Sequence, residues 1–510
     1  MEHIYSLKGS KLMQLDEVRD LGVINDAKLS YEKHVDHIAK KANKAMYPAT
    51  IMYLKDTKFD WNLTTGFEDS VATCHRNPYF EMTGGKMLGG SSSLNFHIYG
   101  RGYPEDYNSW AEITKDDAWK WENVLPYFIK SERLTDPKIL NSPAKIYHGV
   151  EGNLGVSRDT FDASDFLDAM KTLGHESVVD INDDTPLGYM NALFTIADGV
   201  RQSSAHAYLT PAKNRPNLHV LKNTLVHKII IENKNAVGVE VLTKNGVVTL
   251  KADKEVIVSA GTFGSPKLLM LSGIGPKERL LSKGIDVIED LPVGKNLHDH
   301  VVVTMIYKMN KSIDFESFVT DHPVPALVGY VALDKCQKFP DYQTQNYFAH
   351  PEVLISYCSF EARYRPEICD NLYYQKNHLV VQVVHLNPKS RGDILLKNSN
   401  PIDKPIIKVG YLTNKNDIED LLTYVEDYNR IVNTSYFNNI GGELVTDHTN
   451  CKAEFGSRKF WMCYIHCMMN GVRHFSGTCK MGSVVDSKLR VIGVNRLRVV
   501  DASVMPQVVR

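Results

Sequence analysis

The chain has 510 residues, of which 43% are hydrophobic and 23% are charged, and its 59 Lys and Arg residues nearly balance its 60 Asp and Glu residues. This composition excludes a mostly disordered chain and a collagen-like fibre. No uninterrupted apolar stretch reaches the about 18 residues of a membrane-spanning helix, and a net charge of -1 gives no electrostatic reason to expect nucleic acid as a partner.

The first 46 residues differ in character from the rest of the chain. Val35, Ile38 and Ala42 recur at helical spacing with lysines on the opposite side, which predicts a short basic amphipathic helix. A solvated helix is the plain interpretation, and a segment that binds nucleic acid or a membrane is the alternative. No basic region followed by an apolar core opens the sequence, so we expect no secretory signal peptide in residues 1–46.

Part of this segment resembles another class of protein. Residues 15–46 contain Asp20-Leu21-Gly22-Val23 and then His34-Val35-Asp36-His37-Ile38. This sequence resembles a stretch downstream of the palm in retrotransposon-type reverse transcriptases. The stretch has no catalytic carboxylate pair, so the resemblance implies no polymerase activity. We expect residues 1–46 to be an unrelated N-terminal helical extension that was joined from a different source.

After residue 46, strand-like runs alternate with helical ones. Apolar residues at helical spacing predict a helix over Asp116–Glu132, and two strands are predicted over Leu218–Val226 and Ile229–Leu242. Later in the chain, strands are predicted over Gly392–Lys397 and Ile406–Tyr411. Polar residues alternate in this later part, which favours a second domain with an antiparallel sheet and covering helices.

A strand, a glycine turn and a helix follow one another in the middle of the chain. Val256-Ile257-Val258 is a continuous apolar run, which is typical of a strand buried on both faces. Gly261 follows, and Ser265 and Pro266 fit the N-cap and first turn of a helix over Lys267–Leu271. This order presents backbone N–H groups to a phosphate-bearing cofactor. The same order is also common where no cofactor binds.

Two glycine-rich motifs are candidates for cofactor contact. The first runs from Gly84 to Asn95, and its glycines and serines supply N–H and hydroxyl donors that suit phosphate or a polar heterocycle. An ordinary surface loop is the alternative. The second motif, Gly261–Gly275, is the glycine turn and helix described above.

Histidines stand in three further motifs. We interpret His298-Asp299-His300 as hydrogen-bonded residues beside a cofactor edge, with metal ligation as the alternative. Cys463–Cys467 also contains soft ligands, but no fourth partner lies nearby in the sequence, so we expect no metal site. His474 precedes Gly477-Thr478, where the backbone can pass close to a flat ring. An imidazole there can act as a general base, and a structural histidine is the alternative.

In this order, the motifs resemble the glucose–methanol–choline (GMC) oxidoreductases, and above all their insect glucose-dehydrogenase-like branch. The resemblance runs from about Tyr47 to Arg510 and rests on the two glycine-rich motifs and on His474 with its Gly-Thr-Cys tail. It implies FAD as the cofactor and oxidation of a CH–OH group, with hydride transfer to the flavin N5. The implied partners are a small-molecule alcohol or sugar and an electron acceptor.

The resemblance also implies site residues. His474 matches the catalytic base, and Val226 matches the position whose backbone meets the adenine. Asp501-Ala502 matches a contact near the phosphates and ring, and Gly261 lies in the turn that approaches the cofactor. The turn along the flavin and pyrophosphate is matched by Leu88, Gly89, Gly90, Ser91, Ser92 and Asn95. At position 94, where some members attach flavin through a histidine, this chain has Leu94, so we expect FAD to bind non-covalently.

The implied fold is α/β plus α+β. We expect an incomplete FAD-binding Rossmann-like domain over residues 47–300, to which the chain returns at residues 470–510. We expect a substrate domain over residues 301–469, built on an antiparallel sheet with covering helices. The family's opening strand, G-x-G-x-x-G turn and helix have no counterpart in this sequence, nor has the family's loop with a second catalytic residue. We therefore expect weak FAD binding, and the alternative is an inactive remnant that does not hold FAD.

Overall fold

The computed structural model describes residues 57–66, 71, 73, 77, 79–158, 160–183, 187–310, 326–349, 377–446, 449 and 451–510, and the paired dipeptides Ser6–Leu7 and Ser10–Lys11. The helix expected before residue 47 and the stretch that resembles a reverse transcriptase lie outside the described residues.

A seven-stranded antiparallel sheet forms one half of the molecule. Its strands in spatial order are Glu443–Leu444, Val301–Met309, Asn377–His385, Tyr342–Ala349, Ala326–Val331 and Gly188–Asn191, and Met469–Gly471 also pairs with Val301–Met309. The predicted antiparallel sheet is thereby confirmed.

Both faces of this sheet are buried, each in its own hydrophobic cluster. Val301 and Val303 point into the larger cluster, whereas Val302 between them points into the smaller one. Val383 and Val384 divide in the same way. Side chains alternate between faces along a strand, so a run of consecutive valines can fill two separate cores. The helix Lys415–Asn429 covers one face, where its Tyr424 stacks on Tyr342 with 4.9 Å between ring centroids.

The Rossmann-like half is centred on a parallel pair of strands. Val256–Val258 lies beside Leu497–Val499, which comes from more than 200 residues later in the chain. Helix Gly261–Leu271 follows directly. Two expectations fail here. Ile257 is 54% exposed rather than buried, because the described part of the chain covers only one side of this strand. The helix begins at Gly261 rather than near Ser265.

Other boundaries also differ from the sequence-based expectation. The expected helix over Asp116–Glu132 divides at Lys120 into a short turn, Asp117–Trp119, and the helix Trp121–Ser131. The strand expected over Leu218–Val226 begins only at Leu225, and the strand expected over Ile229–Leu242 is interrupted by a turn at Asn233-Lys234, so a strand over Leu225–Glu232 takes their place. It pairs within a three-stranded sheet formed by Leu225–Glu232, Asn235–Thr243 and Gly246–Lys251.

The strands expected over Gly392–Lys397 and Ile406–Tyr411 shorten to Asp393–Leu395 and Ile406–Lys408, and they form a separate pair.

The remaining strands are Leu63–Thr64, Glu81–Met82, Glu132–Leu134, Leu154–Arg158, Leu193–Phe194, Ile196–Ala197 and Val200–Arg201. The remaining α-helices are Pro104–Thr114, Pro137–Leu140, Ser164–Thr172, Thr210–Ala212, Lys277–Leu281, Ser435–Ile440 and Arg458–Met468. Short turns of 3-10 or π-helix span Gly90–Ser93, Pro143–Tyr147, Ala205–Leu209, Arg430–Asn433 and Ala502–Val504. No helix among the described residues combines the length and the apolar character that crossing a membrane requires.

Disulfide bonds tie the helix Arg458–Met468 to its surroundings. Cys463 is bonded to Cys451, with 5.8 Å between the two Cα atoms, and Cys467 is also disulfide-bonded. The metal interpretation of Cys463–Cys467 is therefore excluded, because neither sulfur is a free thiolate.

A chain of fully buried charges lies beside the strand Glu132–Leu134. One carboxylate oxygen of Glu132 forms an ion pair with Arg101 at 2.7 Å and a hydrogen bond with Nδ1 of His148 at 2.9 Å, while Nε2 of His148 lies 2.8 Å from Asp180. Burial alone lowers the pKa of His148, but hydrogen bonds to Asp180 and Glu132 outweigh it, so the pKa is raised. The imidazole thus bridges two carboxylates, and both favour its protonated form.

We expect His148→Leu to destabilise the protein by about 3–5 kcal/mol, because it leaves two buried carboxylates without their shared partner. The urea midpoint measures this loss. Because the folded-state pKa is raised, the stabilisation by His148 is complete below its unfolded pKa of about 6.5 and is lost as pH rises through the folded value.

The gap between wild type and His148→Leu should therefore narrow at alkaline pH. Arg458→Gln, which breaks the exposed pair with Glu419, should cost less than about 1 kcal/mol. An equal cost for both variants would contradict the bridging role.

Candidate active site

Helix Gly261–Leu271 is fastened to the segment that carries His474. Pro266 lies inside this helix and has no N–H, so the Thr262 carbonyl four residues earlier lacks its usual helical donor. The Thr478 hydroxyl donates to that carbonyl at 2.7 Å, and the Thr262 hydroxyl donates to the Phe475 carbonyl at 2.7 Å. Two threonines therefore join segments more than 200 residues apart.

Asp501 joins the glycine turn to the end of the chain. Its Oδ2 accepts from the Gly261 N–H at 2.8 Å and from the Ser265 hydroxyl at 2.5 Å, and its Oδ1 accepts from the Ser503 N–H at 2.9 Å. Ser265 is therefore not the helix N-cap but a partner of Asp501. The structure thus brings together Gly261 and Asp501, which were separate predictions.

Gly477 allows a close crossing of two backbones near His474. Its φ of +91° is in the left-handed region, and a Cβ there would lie 2.4 Å from the His298 ring. Its N–H donates to the Ala502 carbonyl at 3.2 Å. Only glycine fits this position. Ala502 is therefore held next to Gly477, and Gly477 follows His474 by three residues.

Asp299 holds the backbone on which His474 stands. Its carboxylate accepts from the N–H of His474 at 2.6 Å, from the N–H of Arg473 at 3.1 Å and from the Tyr411 hydroxyl at 2.8 Å. Burial raises the pKa of Asp299 to about 6, against these hydrogen bonds, which lower it. The interpretation of Asp299 as a hydrogen-bonded structural residue agrees with this geometry.

His474 is exposed, although many atoms of the protein lie around its ring. Its ring is exposed to solvent, and desolvation by the surrounding protein lowers its pKa to about 4. Nδ1 of His474 lies 3.0 Å from Nδ1 of His300, whose own pKa is lowered well below the usual range, chiefly by burial. His474 is thus neutral near pH 7, and its Nε2 remains for another partner.

The first glycine-rich motif folds as a tight turn. Gly89 and Gly90 have φ of +90° and +54° and lead into the 3-10 turn Gly90–Ser93. Ser92 Oγ donates to the Gly89 carbonyl at 2.6 Å and accepts from the Ser204 N–H at 2.9 Å. Among the described residues, the turn shares no hydrogen bond with His474.

The buried Arg201 clamps this turn from the other side. Its Nη1 donates to the Ser92 carbonyl at 3.1 Å and to both the carbonyl and the side-chain oxygen of Asn95 at 2.8 Å. Burial lowers the pKa of Arg201 to about 9. Arg201 and Ser204 were not among the predicted site residues; the sequence signal that could have found them is an arginine followed by serines, Arg201-Gln202-Ser203-Ser204.

All eleven predicted site residues are accessible. His474, Ser91, Asn95 and Val226 are exposed, and the other seven are partly exposed: Leu88, Gly89, Gly90, Ser92, Gly261, Asp501 and Ala502. At Gly90 and Gly261, open space lies where a Cβ would stand. Open space at these two backbones leaves room for a bound group, which is compatible with the FAD that the family implies.

Val226 stands apart from the set around His474. It lies on the hairpin strand Leu225–Glu232 and is 37% exposed. Leu218, Val220, Leu221, Ile257 and Val500 are other exposed apolar residues of this half of the chain. Among the described residues, no hydrogen bond joins Val226 to Gly261, Asp501 or His474.

One cluster of the described residues has the composition of a metal site. His385 Nε2 lies 3.6 Å from Asp417 and 3.3 Å from Asp420. Asp417 is already engaged, because its two oxygens accept from the N–H groups of Lys389 and Ser390 at 2.7 and 2.8 Å. Burial lowers the pKa of His385, but the carboxylates of Asp417 and Asp420 together outweigh it, so the pKa is raised. An ion pair therefore accounts for the cluster.

Comparison with known proteins identifies the family of the chain. Two models described as GMC oxidoreductase match residues 67–302 and 388–510. Ecdysone oxidase of Bombyx mori is 35% identical over 494 residues, which cover 92% of this chain and 73% of that protein. Glucose dehydrogenase (FAD, quinone) of Drosophila melanogaster is 34% identical over 459 residues, which cover 83% and 71%.

A solved structure agrees with this assignment. The crystal structure of pyridoxine 4-oxidase from Mesorbium loti superposes with a TM-score of 0.77 at 25% sequence identity, covering 91% of this chain and 87% of that one. The chain therefore belongs to the GMC oxidoreductase family, and the sequence-based resemblance is confirmed.

We expect Asp299→Asn to weaken the site, because one carboxylate oxygen becomes an NH₂ donor that faces backbone donors. An unpaired buried polar group costs about 1–3 kcal/mol. The free energy of unfolding, measured from the urea midpoint, should therefore fall by that amount. Tyr411→Phe, which removes one donor and leaves the carboxylate intact, is the matched control and should cost about 1 kcal/mol. A larger loss for Tyr411→Phe than for Asp299→Asn would overturn this role of Asp299.

Proposed function

We propose that this chain oxidises the CH–OH group of a small alcohol or sugar, with His474 as the proton acceptor and non-covalently bound FAD as the oxidant. The observation that carries the proposal is the state of His474. Its ring is accessible and its pKa is lowered to about 4, while Nδ1 is taken up by His300. A neutral imidazole with one free nitrogen is the form that a general base needs.

The residues implied to hold FAD are the turn Leu88–Asn95, the strand position Val226, the glycine turn at Gly261 and the pair Asp501-Ala502. When bound, FAD supplies the hydride acceptor for alcohol oxidation. Leu94 is 3% exposed and offers no nucleophile, which supports a non-covalent cofactor.

The chain's own residues have separate tasks in this proposal. His474 takes the hydroxyl proton of the substrate at Nε2, which raises the tendency of the carbon to lose hydride. Asp299 fixes the backbone of His474 through the N–H bond of 2.6 Å. The two threonine bonds keep this segment against helix Gly261–Leu271, so the base and the glycine turn hold a constant separation.

We infer the substrate class of this chain from the names of its relatives. One relative is named for ecdysone and another for glucose, and both names denote molecules with secondary or primary hydroxyl groups. We infer an alcohol substrate of this general kind for this chain.

Weak FAD binding stays a prediction, and absorbance tests it. We expect the purified 510-residue protein to show less than a stoichiometric flavin band, and to acquire one when FAD is added in excess. The Asp501→Ala variant should need more FAD, because Asp501 organises the Gly261 turn. A full band without added FAD would refute weak binding, whereas no band at saturating FAD would refute the proposed function.

We expect His474→Gln to lower the rate of alcohol oxidation by about 10²–10⁴-fold, which is the usual contribution of a general base. Flavin absorbance should be unchanged, because the base does not hold the cofactor. Turnover of FAD-loaded protein with an artificial electron acceptor measures the rate. Activity within tenfold of wild type would assign the base to another residue.

We expect kcat/KM to stay constant as pH falls towards about 5 and to decline only when His474 becomes protonated. The sign follows from the base needing its neutral form, which a pKa lowered to about 4 preserves in mildly acidic solution. A kinetic pKa near the usual value of about 6.5 would show that His474 is not the group that titrates.

A further inference from the structure

Three asparagines of the chain stand in N-x-Ser/Thr triplets, which are the acceptor motif for N-linked oligosaccharides. The triplets are Asn62-Leu63-Thr64, Asn310-Lys311-Ser312 and Asn433-Thr434-Ser435. Such a triplet arises often by chance, so it indicates a modified residue only where the folded chain leaves the asparagine room for a sugar. The surroundings of the three asparagines differ, and they favour one of them.

Asn433 lies at an exposed corner of the molecule. It ends the 3-10 turn Arg430–Asn433, and Thr434 follows as the buried N-cap of helix Ser435–Ile440. Asn433 and Ser435, on either side of this cap, are both exposed. Among the described residues, none forms a hydrogen bond with the Asn433 side chain. Its amide nitrogen is therefore free to carry a substituent.

The side chains of the other two asparagines are engaged with the protein. Asn62 is only partly exposed, and its Oδ1 is buried. It also leads directly into the strand Leu63–Thr64, so its triplet belongs to a strand pair. The Nδ2 atom of Asn310 lies against Gly441, where a Cβ would be only 2.3 Å from it. Asn433 has neither of these restrictions.

The disulfide bonds indicate the kind of compartment in which this chain folds. Cys451 is bonded to Cys463, and Cys467 is disulfide-bonded as well. Disulfides form and persist along the secretory route and are rare in the cytosol. In eukaryotes, the same route contains the enzyme that transfers oligosaccharides to asparagine, and the relatives from Bombyx mori and Drosophila melanogaster are eukaryotic proteins. The bonds and the triplet therefore indicate one route of biosynthesis.

We propose that Asn433 is an N-glycosylation site of this chain. In the modification, Nδ2 of Asn433 loses one proton and forms a bond to the anomeric carbon of an oligosaccharide. The bond between that carbon and the diphosphate of a lipid-linked donor breaks, and the lipid diphosphate leaves with the bonding electrons. Nothing is oxidised or reduced. The modification is independent of FAD and of the proposed alcohol oxidation.

A glycan on Asn433 stands far from the candidate active site. Helix Ser435–Ile440 lies at one end of the strand Val301–Met309, because its last carbonyl accepts from the Asn310 N–H at 2.8 Å. The opposite end of the strand pairs with the segment that leads to His474. A nine-residue strand spans about 30 Å. We therefore expect the glycan to leave the binding of added FAD unchanged.

Secretion of the full chain from insect cells, behind an added signal peptide, tests the proposal. Peptide-N-glycosidase F removes an N-linked glycan and converts its asparagine to aspartate, so peptide mass spectrometry identifies the site. We expect aspartate at position 433 after treatment. The exposed Asn438, which stands in no triplet, should remain asparagine and serves as the internal reference. An unmodified Asn433 in secreted protein that has formed the bond between Cys451 and Cys463 would overturn the proposal.

Two matched variants test the triplet itself. Ser435→Ala removes the hydroxyl that the triplet requires and keeps Asn433, whereas Ser435→Thr keeps an acceptor triplet. We expect Ser435→Ala to lose one glycan, which increases its electrophoretic mobility, and Ser435→Thr to retain it. Retention in both variants, or loss in both, would contradict the assignment.

The urea midpoints of both variants should match that of wild type, because Ser435 is exposed. Mass spectrometry of the wild-type chain gives its answer whether or not the variants fold. Failure of any alcohol to reduce bound FAD would refute the proposed function and leave the glycan measurements unaffected.

Discussion

A proline inside a helix leaves one carbonyl without its donor, and the architecture of this site depends on how that carbonyl is satisfied. Pro266 frees the carbonyl of Thr262, and Thr478 supplies the missing donor. An unsatisfied buried carbonyl costs about 1–3 kcal/mol, so this pairing opposes any separation of the two segments. The position of the segment that carries His474 therefore depends on a missing helical hydrogen bond as well as on packing.

Asp501 also joins two segments through one side chain. Its carboxylate accepts from the N–H of Gly261, where the helix starts, and from the N–H of Ser503, in the last short turn of the chain. The contact between Asp501 and Gly261 lies beyond the carboxyl ends of the two parallel strands, which is where ligands bind in open α/β sheets. Gly261 meets its turn through a φ of +76°, whereas Gly477 also has no room for a Cβ.

Much of this site could be predicted from local sequence. The glycine-rich turn, the histidine before Gly477 and the antiparallel sheet all depend on residue types at short spacing, and the structure contains each of them. The helix boundary could not be predicted in this way. Ser265 has the local pattern of an N-cap, but its hydroxyl bonds to Asp501, which is 236 positions away. The contact between His300 and His474 spans 174 positions, so no local pattern could reveal it.

The disulfide between Cys451 and Cys463 has a consequence for how the protein is made. Disulfides persist in oxidising compartments and are reduced in the cytosol. This one, and the bond at Cys467, anchor the helix from which the chain proceeds through Met469–Gly471 to His474. The position of His474 is therefore coupled to the redox conditions of biosynthesis: material made where thiols stay reduced lacks this covalent support directly upstream of that residue.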